Sequence, residues 1–361
     1  MRYYIVKTGL EIFDLCRAYG LAMLLDNASL EGETPVINNA GSFYLIEHGS
    51  IDISHERLLK DPAWHSLFEE SPDDRTWSRI FLTDKQNWSK KVKKVKDILS
   101  KDAEKISKDF QSPTNLPEIS SDKGETLSGP LDPSAFKGLK GRTRSDYSEG
   151  QTKVDIYNWA LACLGGAVSG RYKAQKAQGN KWDYFVIFPV PQRIELNNFR
   201  EIRNSTNSTY TTALKYLSVQ NAAAHFSVVL AEKMRELAAS KSQFADRFSG
   251  IFYFSMVQSG QQFKPSAGGN LSLYPLMELA LSGKPNIEKV FEVWNYLFRK
   301  GSIQGCEDIA EAITEFVMNP TIETYEKHVK IFLKYISKPK EIKSANLYSD
   351  DTLKEVIAYV R

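Results

Sequence analysis

Cysteine is scarce in this chain of 361 residues, which contains only Cys16, Cys163 and Cys306. A disulfide framework needs paired cysteines and a zinc site needs closely spaced ones, whereas these three are far apart and each lies in an apolar, helix-like pattern. The sequence therefore predicts buried free thiols in a reducing compartment.

Long apolar runs are absent as well. No uninterrupted stretch approaches the roughly 20 apolar residues that span a bilayer, and the N-terminal residues lack the apolar core of a signal peptide. The sequence predicts a cytoplasmic protein that makes no contact with a membrane.

The motifs of common enzyme classes are missing. The five histidines form no HxH or HExxH pair, and there is no Walker A loop, GxGxxG turn or GxSxG elbow. The adjacent carboxylates Glu69-Glu70 and Asp73-Asp74 lie in polar, proline-containing sequence that is typical of a solvent-facing surface. We therefore expect a protein that is not an enzyme and has no catalytic residues, no metal site and no cofactor.

Net charge is also small, at +3 with 47 basic and 44 acidic residues. The field of the whole molecule would not attract a polyanion, so any binding of nucleic acid must depend on local patches. With 361 residues and 42% hydrophobic content, the chain can bury a substantial core.

The order of sequence patterns predicts an α+β fold, in which a large mixed α/β body at the N-terminus is followed by a C-terminal α-helical bundle. Aromatic and β-branched runs at 182–190 and 250–257 predict two strong strands. Four helix-like stretches separated by glycine and proline follow residue 286. We predict domains at 1–274 and 275–361, with a mobile loop at about 111–130 where serine, proline and aspartate replace any periodicity.

Lysines crowd one amphipathic segment between residues 84 and 110. Apolar residues recur there at three- and four-residue spacing, which predicts a helix with a cationic face that could neutralise phosphates. The candidates are Lys90, Lys91 and Lys94. A solvated surface helix without a ligand explains the same pattern equally well.

A second cationic segment lies between residues 137 and 144, where glycines separate four cations and no acidic side chain intervenes. Such a flexible loop could hold a polyanion through charge and backbone N–H groups. Its candidate DNA contacts are Lys137, Lys140, Arg142 and Arg144.

Two further segments offer amide side chains, which can read base edges. One is a polar, glycine-rich loop with the candidates Gln258, Gln261, Gln262, Lys264 and Asn270. The other is a loop at 200–212 ahead of a helix, with the candidates Arg203, Asn204 and Asn207. Ordinary hydrophilic connections with capping residues remain the alternative for both.

Three features together resemble a known family. They are the N-terminal stretch Gly9–Leu21, the Asp-Pro-x-x-Phe-Lys-Gly passage at Asp132–Gly138, and the helical C-terminus. The chain resembles the large subunit of a type I CRISPR surveillance complex (Cascade), and within that group the shorter I-A and I-B subunits, including those that serve CRISPR-guided transposons.

This resemblance implies a non-catalytic role in RNA-guided antiviral defence. The large subunit would recognise the motif that flanks the target (the PAM) and stabilise the opened duplex, or R-loop, while the guide RNA reads the sequence. Its partners would be double-stranded target DNA, the displaced single strand, the guide RNA complex, and the backbone, guide-handle-binding and small subunits of Cascade. A transposon recruitment protein is a further partner that the resemblance allows.

Two other functions remain open at this point. Carboxylates that are distant in sequence could assemble into a metal-dependent nuclease, and the chain could be a scaffold subunit that contacts only proteins. Metal-dependent turnover would identify the nuclease, and absence of crosslinks to DNA would identify the scaffold.

Overall fold

A computed structural model describes residues 1–28, 34–49, 88–120, 123–127, 152–169, 172–176, 182–211, 215–240, 246–259, 262–300, 303, 305–337 and 348–360. These residues have the predicted α+β fold, with strands concentrated before residue 273 and helices after it. The chain forms two compact units. The first comprises Met1–Arg171, Phe188–Asn197 and Ser259–Pro265, and the second comprises Tyr172–Ile187, Asn198–Gln258 and Ser266–Arg361.

Among the described residues, the first unit combines short strands with four helices. Its elements are β1 (Arg2–Val6), α1 (Glu11–Asn27), β2 (Val36–Asn39), β3 (Phe43–Glu47), α2 (Trp88–Lys101), α3 (Ala103–Asp109), β4 (Ile119–Ser120), β5 (Glu125–Thr126), β6 (Lys153–Val154), α4 (Ile156–Ser169), the end of β8 (Trp182–Glu195) and the start of β11 (Gln262–Ser272). Strand β3 lies between β1 and β2, antiparallel to both, and β2 pairs with the end of β8. A separate small sheet has the order β4-β6-β5.

Helices α1 and α4 form the core of this unit and cross at very short distance. At Gly20, a Cβ atom would overlap the carbonyl group of Leu161, and at Gly165 it would overlap that of Cys16. Only glycine permits two helix backbones to approach this closely. Helix α1 is buried on nearly all sides.

A charged side chain lies inside this core. Arg17 is completely buried and donates hydrogen bonds to Asp14 Oδ1 at 2.6 Å, Asn158 Oδ1 at 2.8 Å and the carbonyl oxygen of Val6 at 2.6 Å. The carboxylate of Asp14 also accepts the backbone N–H groups of Thr8 and Gly9. The pair is thus both neutralised and hydrogen-bonded, which is the condition under which a buried charge is tolerated.

The second unit begins with strands and ends with helices. Its elements are β7 (Tyr172–Lys176), the start of β8, α5 (Leu196–Thr211, from Asn198 onward), β9 (Lys215–Tyr216), α6 (Val219–Ser240), β10 (Arg247–Ser259, up to Gln258), β11 (Gln262–Ser272, from Ser266 onward), α7 (Tyr274–Ala280), α8 (Ile287–Arg299), α9 (Glu307–Met318), α10 (Ile322–Ile336) and α11 (Asp350–Ile357). Strand β7 pairs antiparallel with β8 and parallel with β9, and β11 lies beside β10.

The last four helices pack around an aromatic core. Trp294 of α8 makes edge contacts with Phe316 of α9 and with Tyr359, and its ring is fully buried. His328 of α10 stacks on Phe316, and Tyr348 packs on Phe332. These helices are the four helix-like stretches that the sequence predicts from residue 286 onward. The predicted domain at 275–361 stays a prediction.

Two loop predictions were wrong. Residues 200–211 belong to helix α5, because Phe199, Ile202 and Thr206 supply a buried face at helical spacing despite the many asparagines and serines around them. The polar segment after Val257 is mostly strand, since β10 continues to Ser259 and β11 begins at Gln262. The predicted loop at 111–130 contains the two-residue strands β4 and β5, and its mobility stays a prediction.

Candidate nucleic-acid interface

Helix α2 presents the lysine face that the sequence predicts. Val92, Val95 and Leu99 are buried, while Lys90, Lys93, Lys94 and Lys101 are exposed and Lys91 is half-buried. The buried residues recur at three- and four-residue spacing, so the cations are left on the opposite side of the helix. Lys90, Lys93, Lys94 and Lys101 line one shallow surface depression, together with the carboxylate of Asp97.

The helix is held on a rigid support. It packs against α4, and α4 in turn packs against α1 through the glycine contact. From Lys90 to Lys101 the helix rises by about 16 Å, which matches roughly five successive phosphates of one DNA strand in axial length. Cations on a rigid helix lose less freedom on binding than cations on a flexible loop.

Besides Asp97 and Asp102 in the depression, a third carboxylate contacts this lysine face. Glu125 of β5 forms an ion pair with Lys94, with 2.5 Å between the two charged atoms. Lys94 also lies 5.9 Å from the ring centroid of the buried Trp159. Both side chains of the pair remain partly exposed, so solvent screens the attraction and a phosphate group could compete for the lysine.

A second cation lies beside an aromatic ring in the same unit. Lys105 of α3 lies 5.1 Å from the ring centroid of Tyr157, and its contact with the Tyr157 hydroxyl raises the pKa of Lys105.

The amide candidates lie on the β10–β11 hairpin. Gln258 is in β10, whereas Gln262, Lys264 and Asn270 are in β11, where Asn270 is exposed. The backbone N–H of Leu273 donates to the carbonyl oxygen of Ser249 at 3.0 Å and closes the base of the hairpin. Gly268 is required in β11 because a Cβ atom there would lie 2.5 Å from the carbonyl oxygen of Tyr253.

The second amide group lies on a helix and not on a loop. Arg203 is half-buried and Asn204 is exposed on α5, and Asn207 belongs to the same helix. From the sequence, a helix was expected to begin just after this segment. Instead, the segment lies inside α5, which begins at Leu196, and the next helix, α6, begins only at Val219. Asn204 is exposed enough to contact a ligand.

The cationic loop candidates Lys137, Lys140, Arg142 and Arg144, together with Gln261, lie outside the described residues. Sequence reasoning missed Lys101, Lys105 and Glu125. Lys101 could have been found, because it follows Lys94 by seven residues and so shares its face. Glu125 gave no signal, since its ion pair joins segments 31 residues apart.

Within the described part of the chain, no group of three histidine, cysteine, aspartate or glutamate side chains could hold a metal ion. None of the described helices is long and apolar enough to cross a membrane. The three cysteines are buried free thiols, and burial raises the pKa of Cys163.

Comparison with known proteins gives one full-length relative. The chain is 30% identical over 371 aligned positions to an uncharacterized protein of Archaeoglobus fulgidus, and the alignment covers 99% of this chain and 98% of that protein. The chain belongs to the family of that archaeal protein. Because coverage is nearly complete on both sides, the similarity extends through both compact units. No protein-family model matches the chain.

Proposed function

We propose that this chain is a non-catalytic, DNA-binding subunit of an RNA-guided surveillance complex of the type I CRISPR class, which acts in the cytoplasm in antiviral defence. It would recognise the motif that flanks the target and stabilise the opened duplex, while the guide RNA reads the target sequence. Its partners would be the target duplex, the displaced strand, and the backbone, guide-handle-binding and small subunits.

The observation that carries this proposal is the lysine face of α2. Four exposed lysines share one side of a helix whose opposite side is fixed in the core of the first unit. Cations in this arrangement contact phosphates without reading sequence, so they suit a subunit that delegates sequence recognition to RNA.

The β10–β11 hairpin supports the proposed recognition of the motif that flanks the target. In sequence, Gln258 precedes the connection between its strands, and Gln262 and Lys264 follow it. Amide side chains can hydrogen-bond base edges in either groove, and a narrow hairpin can enter a groove that a helix pair cannot.

Removing the lysine face should weaken DNA binding. In the variant K90Q/K94Q/K101Q, we expect lower affinity for both single- and double-stranded DNA. The logarithmic salt dependence of binding should fall by roughly one for each phosphate that the variant no longer neutralises. Fluorescence anisotropy across a range of salt concentrations measures both quantities on the full chain.

The matched control removes three partly or fully exposed lysines that pair with carboxylates away from α2, in the variant K284Q/K289Q/K354Q. It has the same net charge as the test variant and should bind DNA as the unmodified chain does. An equal decrease of affinity in the two variants would mean that net charge, and not the α2 face, controls binding.

The hairpin is tested in the assembled complex. Q258A/Q262A should leave assembly intact and reduce binding to duplexes that carry the flanking motif, with little change for single strands. Unchanged duplex binding would contradict the hairpin assignment. Metal-dependent cleavage of DNA or RNA by the purified chain would favour the nuclease alternative instead.

A further inference from the structure

Helix α10 has an apolar stripe on its solvent side in addition to its buried face. Ile322 and Leu333 are 62% and 55% exposed, and Val329 and Ile336 on the same side are half-buried. At 100° per residue, these four positions fall within a sector of about 60° on one side of the helix. The stripe is about 21 Å long.

Charged residues border this stripe in the order that the helix dipole favours, with acidic side chains before basic ones. Glu323 and Glu326 lie in the first half of α10, and Lys330 and Lys334 lie in the second half. All four are exposed, and neither Lys330 nor Lys334 forms an ion pair with any described residue. Lys327, by contrast, pairs with Glu315 of α9 and faces its own unit.

The pattern is complementary to itself when two copies lie antiparallel. In an antiparallel helix pair, the residues that flank the seam on one side of a helix lie next to the same flank of the other helix. Glu326 of one copy would then approach Lys330 of the second, and Glu323 would approach Lys334. The apolar stripes would face each other, with Val329 near the two-fold axis and Ile322 opposite Ile336.

From this geometry we infer that α10 is a docking surface for a second copy of the chain, through an isologous, antiparallel helix pair. This goes beyond the proposed function, which needs no self-association. Two 15-residue helices bury less than the roughly 800 Å² per partner of a stable interface, so the dimer is weak and depends on concentration.

Sedimentation equilibrium of the full chain over a wide concentration range tests this inference. The unmodified chain is expected to shift from monomer to dimer as concentration rises, and L333D should remain monomeric. E323K/E326K and K330E/K334E should each weaken association at least tenfold, because like charges then meet across the seam.

The decisive measurement mixes the two charge variants. Their opposite flanks are complementary again, so the mixture should form a heterodimer with affinity near that of the unmodified chain. As a control, E104K/D109K changes net charge by the same amount as E323K/E326K, at exposed positions of α3, and should not alter association.

A chain that stays monomeric at all concentrations would overturn the inference. So would a mixture of the two charge variants that fails to associate, or association that L333D and the charge variants leave unchanged. Circular dichroism confirms that each variant keeps the helical content of the parent, so a loss of dimer is not a loss of fold.

Discussion

Single residues determine how the core of the first unit packs. Glycine does so where helices α1 and α4 approach each other most closely. Gly20 could be predicted to pack tightly because it interrupts an apolar helix, and it lies against the backbone of Leu161. Its counterpart Gly165 could not be paired with it from sequence, since the contact joins residues 145 positions apart. Gly9 has a different role, because its φ of +89° places it in a left-handed turn with no neighbour within 4 Å of a Cβ atom.

Substitution of Gly165 by alanine should destabilise the protein, although alanine normally favours a helix more than glycine does. Alanine normally stabilises a helix interior by about 1 kcal/mol relative to glycine. Here its methyl group would overlap the carbonyl group of Cys16, so we expect G165A to lower the free energy of unfolding by about 3 kcal/mol. Urea denaturation measures the difference.

The control for this substitution is G41A. Gly41 has a φ of +72° and an open surrounding, so alanine there costs only the backbone strain of a left-handed turn, about 1 kcal/mol. If G165A were as stable as the parent, the close approach of α1 and α4 would be wrong.

At the scale of whole elements, helices with a clear amphipathic pattern were predictable, whereas α5 was not. The C-terminal helices were found from the spacing of residues such as Val290, Phe291 and Trp294. Helix α5 was missed because asparagine and serine favour loops by propensity, whereas its burial depends on partners distant in sequence. The lysine face of α2 was predictable because amphipathicity is a local property.

Helix α10 contains a histidine that should make stability depend on pH. His328 is fully buried between aromatic rings, its Nε2 atom is 2.8 Å from the Tyr348 hydroxyl oxygen, and burial lowers its pKa to about 3. Between the ordinary pKa of about 6.5 and the lowered pKa of about 3, His328 binds a proton in the unfolded chain but not in the folded chain. Stability is therefore complete above pH 6.5 and is lost as the pH falls from 6.5 toward 3.

Urea denaturation at pH 7, 6 and 5 measures this effect. In H328Q, we expect the decrease of unfolding free energy with falling pH to be smaller by up to about 1.4 kcal/mol per pH unit. His225 stacks on Phe298 and has its pKa lowered to about 3 in the same way, so H225Q serves as a second, independent case. Identical pH dependence in both variants and the parent would contradict the assignment.

For the whole molecule, the fold class could be predicted, but the grouping of the C-terminal helices with α6 could not. Helix α6 packs against α7, α8 and α9. Asn221 donates to Thr314 at 2.9 Å, and Asn295 donates to Glu232 at 3.0 Å, where burial raises the pKa of Glu232. Such contacts join distant segments, so they leave no local pattern in the sequence.

A fragment of residues 275–361 tests the predicted domain boundary. Without α6, the inner faces of α8 and α9 are exposed to water, so we expect the isolated fragment to lose cooperative thermal unfolding and to bind a hydrophobic dye. Circular dichroism with and without a co-expressed segment 216–240 separates the cases. A cooperative transition in the fragment alone would support an independent domain.

The buried Arg17 has a consequence for synthesis of the chain. Its partner Asn158 is translated 141 residues later, which takes roughly 7–28 s at ~5–20 residues per second. During that interval, α1 has left the ribosome, but α4 does not yet cover its apolar surface. One N–H group of Arg17 also lacks its acceptor on Asn158. Chaperone binding to the nascent N-terminus is therefore most needed before residue 170 emerges.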